Sequence, residues 1–416
     1  MSCQTKWIKL ALASLIIPGI TAIALVLLRT INVDQMEWGQ VFKTALVIHV
    51  DLSVYIWMIT GAILLWSING NLGNKSQRHF FIVAAAGTFL IAIAAFINQP
   101  NPLLNNYIPV LESAWFFIGL GMFSFAALML ALSAFKSSSA LATKLMAILY
   151  FVAVYMTAHS YLILDTGSSG YYEFLFWGGG HVLQLMVSLL MLSIWVKLYE
   201  LNHVNLSSPL LSGIYLIMAL PVIYALYIHF VFNIDSIEYR LGMTNMMIWG
   251  NGIAPILLSL VILSQTKLSN LKSITGISLY SSMLMFLTGG LIAIYISGIN
   301  TIIPAHYHGS IVGVTLSIMG LIYYSLEKLG YSIRLKRLAY AQPIIYTIGQ
   351  LMHIGGLAIS GSHGAARKTV GTVGNLAQAT DLSIFLTRTG GLVAILGGAI
   401  FILIVYMSLK TKQQQT

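Results

Sequence analysis

The sequence predicts an all-α, polytopic membrane protein, a single domain over residues 1–416 built as a bundle of twelve transmembrane helices. Three observations carry that expectation. Hydrophobic residues make up 58% of the chain and charged residues 8%, with a mean hydropathy of +0.86, a balance outside the range of water-soluble domains. The apolar residues gather into stretches of roughly 19–27 residues, long enough to cross a bilayer as helix. Basic residues then mark alternate connections, as the positive-inside rule requires.

In chain order the spans run approximately over 8–28, 42–66, 79–97, 108–134, 140–164, 171–196, 209–232, 243–264, 273–297, 304–325, 338–360 and 390–409. The first has no small-residue cleavage site after it and reads as a retained helix, not a signal peptide. The second carries His49 and Asp51, and the third opens behind Lys75 and Arg78. The sixth contains the run Gly178-Gly179-Gly180. The eighth is interrupted by Gly250, Gly252 and Pro255 and has the weakest pattern. The ninth to twelfth are continuous, and the longest non-apolar stretch, 361–389, lies between the last two as an outer-side loop segment.

Of the 21 Lys and Arg, the N-terminus, the even-numbered connections and the C-terminus hold Lys6, Lys9, Lys75, Arg78, Lys136, Lys144, Lys197, Lys267, Lys272, Lys328, Arg334, Lys336, Arg337, Lys410 and Lys412. Arg29, Lys43, Arg240, Arg367, Lys368 and Arg388 fall on the other side. Both termini are therefore expected in the cytoplasm. The formal charge of +10 reflects topology and not a nucleic-acid footprint. The partner it implies is a lipid bilayer. The single cysteine, Cys3, excludes an internal disulfide and any cysteine-based metal or iron–sulfur site.

Imidazole inside a membrane helix is costly without a partner, and this chain places five where the topology predicts the outer half of the bilayer. His49, His181, His229, His306 and His308 lie on four different spans. His306 and His308, two apart on a helix, point about 200° from each other and serve opposite sides. Imidazole without thiolate or carboxylate suits iron, copper or zinc, and a layer of histidines at one depth suits a cofactor held between helices. The glycine run before His181 permits either the close approach of a planar group or close helix packing.

Several of these segments resemble one family. Residues 288–298 (TGGLIAIYISG) followed by 305–308 (AHYH) look like the ninth and tenth helices of haem–copper oxidase subunit I. Residues 176–184 (FWGGGHVLQ) are similar to that family's sixth helix, 48–53 (IHVDLS) to the ligand position of its second helix, and 364–368 (GAARK) to its propionate-contacting segment. The order covers essentially the whole chain. The resemblance implies a bundle of the cytochrome oxidase subunit I type in a bacterial inner membrane. It implies His49 and His308 as axial ligands of a low-spin haem, His306 as the ligand of a high-spin haem, and Arg367 and Lys368 as propionate partners. It further implies His181 and His229 as copper ligands, dioxygen as substrate, and an electron-donating partner such as a copper-bearing subunit or cytochrome c.

The sequence departs from that pattern at instructive places. The family's seventh helix carries two adjacent histidines where this chain has Ile228-His229. The usual tyrosine position after the first copper ligand is Leu185, so Tyr224 and Tyr227 are the substitutes on the seventh span. His159 and His353 are candidates for the missing ligand. The glutamate position of proton-pumping members is Leu183, which leaves Asp51 as the candidate proton-path residue and Glu173 as a structural one. The leading expectation is a terminal oxidase reducing dioxygen. The alternatives are a haem-bearing cytochrome without a full copper site, a nitric oxide reductase-like enzyme, and a secondary transporter. The transporter would need symmetric halves with broken helices, which the sequence lacks.

Overall fold

A computed structural model describes residues 2–30, 35–69, 72, 74–168, 170–201, 205–266, 272–368 and 380–411. The described residues hold twelve helical segments long and apolar enough to cross a membrane, in the order the sequence predicts. The chain is a twelve-helix membrane bundle.

The first span is α1 (Cys3–Thr30), with Pro18 inside it. The second is continuous from α2 (Gln35–Val50) through a π-helical segment (Asp51–Ile56) into α3 (Trp57–Asn69). The π-helical insertion begins two residues after His49, and such insertions cluster at functional sites. Then follow α4 (Asn74–Ala94), a small antiparallel hairpin of β1 (Pro102–Leu103) and β2 (Val110–Leu111), α5 (Ala114–Ser137), α6 (Leu141–Ile163) and α7 (Tyr171–Glu200). The seventh span breaks at Pro221, which has no N–H to continue the ladder, into α8 (Ser208–Ala219) and α9 (Pro221–Val231). The eighth breaks at Asn251–Gly252 into α10 (Ile237–Gly250) and α11 (Ile253–Gln265). The remaining spans are α12 (Ile274–Ala293), α13 (Ile302–Lys328), α14 (Lys336–Ser362) and α15 (Asp381–Ser408).

Several boundaries differ from expectation, and two of them have a clear physical reason. Residues 108–113, apolar enough to read as helix, contribute Val110 and Leu111 to the hairpin and reach Ser113 before α5 starts. Residues 381–389, assigned to the outer loop segment, form the first turns of α15. Thr380 accepts the main-chain N–H of Ser383 at 3.2 Å, and Asp381 sits in the positive first turn, a standard N-terminal cap. Residues 369–379 of the same segment lie outside the described residues.

The chain divides into two compact units. One comprises residues 1–11 and 55–265, and its central helix is α7, apolar and buried around its whole circumference from Leu175 to Tyr199. The other comprises residues 12–54 and 266–416, with α13 as its buried centre. A helix apolar on every side belongs in the middle of a bundle, and in both units the middle helix carries histidine.

Candidate functional site

In the unit centred on α13, α12 and α13 cross backbone to backbone. A Cβ on Gly309 would lie 2.5 Å from Gly289 Cα, and one on Gly313 would lie 2.7 Å from Phe286 Cβ. Small residues are what allow membrane helices this close. The crossing brings Nδ1 of His306 to 2.8 Å from the Gly289 carbonyl. His308, on the other side of the same helix, turns its ring to His353 of α14, centroids 5.0 Å apart. The opposed pair thus serves two different neighbours.

The α14–α15 contact is built the same way. A Cβ on Gly349 or Gly390 would strike the α15 or α14 backbone at Ala394 or His353. Here Nδ1 of His353 reaches the Thr387 carbonyl at 2.9 Å. On α2, Nδ1 of His49 lies 3.0 Å from the Pro18 carbonyl of α1. Asp51 follows, 1% exposed, with neither carboxylate oxygen hydrogen-bonded. The segment bearing Arg367 and Lys368 is pinned to the start of α13. Ala366 bridges Asn300, and Thr301 donates its N–H to the Ala365 carbonyl at 2.9 Å.

In the unit centred on α7, Nδ1 of His181 lies 2.7 Å from the Trp177 carbonyl, and its Nε2 lies 2.8 Å from the Tyr107 hydroxyl. Tyr107 is the residue sequence reasoning missed. It sits in the β1–β2 hairpin at φ +67°, uncommon for a residue with a Cβ. Glu173 holds the preceding Asn106 by accepting its main-chain N–H at 2.8 Å and its side-chain amide at 2.5 Å, which accounts for Glu173 as a structural carboxylate. The glycine run is taken up by protein and not by an open slot. Cβ atoms there would strike Tyr239 Oη, Thr157 Oγ1 and the Tyr107 ring in turn.

His229, on α9, places Nδ1 2.9 Å from the Tyr239 hydroxyl and Nε2 3.1 Å from Nδ1 of His159 on α6. Tyr239, a second residue the sequence did not mark, is therefore the phenol on His229. Tyr224 and Tyr227 are 44% and 56% exposed and stack on each other. Ile228 packs on α10, where a Cβ at Gly242 would meet its Cδ1 at 2.7 Å. Arg240 of the same helix lies over the Trp177 ring at 4.8 Å and docks α10 on α7. No motif or periodicity marks Tyr107 or Tyr239. Their roles come from how a loop and a helix start fold.

One chemical pattern recurs across both units. His49, His181, His306 and His353 all face a main-chain carbonyl through Nδ1. A carbonyl only accepts, so Nδ1 carries the proton and the neutral ring presents its lone pair at Nε2. This is the tautomer an Nε2 metal ligand needs, with the carbonyl fixing ring orientation. Haem axial ligation therefore fits His49 and His306. A three-histidine copper site does not fit. Ile228 offers no nitrogen, and among the described residues no group of three His, Cys, Asp or Glu is arranged to hold a metal.

Over 97% of its length the chain is 32% identical to the uncharacterized protein RP382 of Rickettsia prowazekii (strain Madrid E), of which it covers 95%. It is 26% identical over 78% of its length to an uncharacterized protein of Aquifex aeolicus (strain VF5), covering 85% of that protein. No family model matches. Among solved structures it is similar to a heme-copper terminal oxidase dimer determined by cryo-electron microscopy. The TM-score is 0.76 at 17% identity, over 99% of this chain and 84% of that one. The fold is therefore that of a heme-copper terminal oxidase chain. The chain belongs to the family of the Rickettsia protein.

Proposed function

We propose that this chain is a haem-bearing subunit I of a respiratory terminal oxidase in a bacterial inner membrane, with both termini cytoplasmic. It would take electrons from an outer-face donor, a copper-bearing subunit or a cytochrome c, and pass them to dioxygen. The observation that supports this reading is the Nδ1-to-carbonyl arrangement shared by the half-buried His49 and His306. Exposed His363 and buried His181 hold Nδ1 on a carbonyl of their own helix, whereas His49 and His306 reach carbonyls of a neighbouring helix, which orients the ring across a crossing as an axial ligand requires.

In this reading His49 and His308 hold a low-spin haem and His306 holds a high-spin haem. Haem supplies, when bound, the one-electron chemistry that side chains lack. The protein's own part is orientation and charge. The Pro18 and Gly289 carbonyls lock the His49 and His306 rings. Arg367 and Lys368, next to the turn pinned at Asn300–Thr301, provide cations for propionates, where a guanidinium can bind bidentately. Asp51 is the group for holding a proton. Its carboxyl is buried without a partner, a cost retained where function needs it. Tyr224 and Tyr227 remain weaker candidates for a phenol in the reaction.

A second reading, a cytochrome that keeps haem and has lost copper, is favoured by one observation. Both nitrogens of His181 are engaged, by Trp177 and Tyr107, and Ile228 stands at a ligand position. Purified protein analysed for haem, copper and oxygen uptake separates the two. The oxidase reading predicts two haems per chain with uptake driven by a reduced donor. Haem with no uptake identifies the cytochrome, and folded protein without haem overturns both.

A further inference from the structure

We propose that the ends of α13 and α15 and the start of α14 form a headgroup site for an anionic phospholipid, with Arg334, Arg337 and Lys410 as its phosphate partners. The inference is independent of the haem reading. It rests on where this end of one unit gathers charge and apolar surface.

Lys328, Arg334, Lys336, Arg337 and Lys410 are all exposed. The chain has no Asp or Glu from Lys328 to Thr380 or after Asp381, so Glu327 is the one acid in the segments that carry them. Two hydrogen bonds across the end of the unit gather these cations. The Arg334 main-chain N–H donates to Ser408 Oγ at 3.0 Å, and Thr411 Oγ1 donates to the Ser332 carbonyl at 3.1 Å. The turn over 329–335 is thereby fastened to the end of α15. The positive-inside rule asks for charge here, not for a turn fixed to a helix end. Leu335 sits in that turn at φ +53°, uncommon for a residue with a Cβ, and is exposed between two cations. Next to the cations each helix presents an apolar stripe. Tyr340, Ile344 and Ile348 follow Arg337 on α14, and Leu403 and Tyr406 precede Lys410 on α15, all exposed and at the three- and four-residue spacing of one helix face. Lys410 Nζ lies 4.1 Å from the Tyr406 ring centroid. Tyrosine marks the headgroup level of a bilayer, guanidinium binds phosphate bidentately, and basic clusters at helix ends bind anionic headgroups. A phosphate with acyl chains covers cations and stripes together, whereas a soluble phosphate covers the cations alone.

The test titrates the purified full chain in detergent with phosphatidylglycerol, with phosphatidylcholine of the same acyl chains, and with inorganic phosphate. Bound lipid is counted by native mass spectrometry. The expected result is phosphatidylglycerol retained where phosphatidylcholine is released, and not displaced by inorganic phosphate. The triple variant Arg334→Gln/Arg337→Gln/Lys410→Gln should bind it about a hundredfold more weakly. A control of equal charge loss in the other unit, Arg78→Gln/Lys136→Gln/Lys144→Gln, should bind as wild type does. Lys410→Gln alone, an exposed change, keeps the test decisive should the triple variant fail to fold, and should weaken binding about fivefold. Four results overturn the proposal. They are equal retention of the two lipids, displacement by inorganic phosphate, a control as weak as the triple variant, or Lys410→Gln binding as tightly as wild type.

Discussion

At the scale of one residue, Asp51 sets the proposed proton role against the logic of stability. A buried carboxyl with no hydrogen-bond partner costs about 1–3 kcal/mol, and asparagine would relieve the ionisable part of that cost. Asp51→Asn should therefore leave haem content unchanged, raise the unfolding temperature, and lower oxygen uptake. Uptake equal to wild type would remove Asp51 from any proton path. Tyr107 is the second informative residue. Tyr107→Phe removes only the hydroxyl at His181, and loss of a hydrogen bond to a buried imidazole costs about 1–3 kcal/mol. A thermal denaturation scan should show that loss. An unchanged midpoint would mean that the hairpin, not the hydroxyl, holds the tyrosine in place.

The elements owe their positions to small residues at crossings. Gly289 and Gly309 let α12 and α13 touch, and the Gly289 carbonyl then meets His306. Gly309→Leu should push the helices apart, cost about 1–3 kcal/mol by overpacking, and release the His306 ring. Gly39, where an added Cβ would meet nothing within 4 Å, is the matched control on a membrane helix. If Gly309→Leu keeps both stability and haem spectrum while folding normally, the crossing does not position His306. The existence of these elements was legible in the sequence because apolar length is a direct requirement of the bilayer. Their ends were less so. The hairpin at 102–111 is as apolar as a helix start, and the Thr380 cap lies inside a polar stretch. The histidines were legible as residues, whereas their acceptors were not, since every residue has a carbonyl and only the crossings select Pro18, Gly289 and Thr387. The sequence offered both His159 and His353 as neighbours for His229, and only the packing of α6 against α9 selects His159.

For the molecule as a whole, the charge distribution predicts orientation. Reporter fusions at the C-terminus and after Gly364 should report opposite sides of the membrane, with the C-terminus cytoplasmic. The same side for both would undo the common depth of the histidines. The central claim is that this bundle holds haem on the histidines of α2 and α13. It is tested most directly by the reduced-minus-oxidised absorption spectrum of the purified protein beside that of His49→Ala. The account predicts a sharp reduced α-band from a bis-histidine haem in the first and its loss in the second, with the remaining haem still present. Folded protein with no haem absorption, or an α-band unchanged in folded His49→Ala, would contradict it.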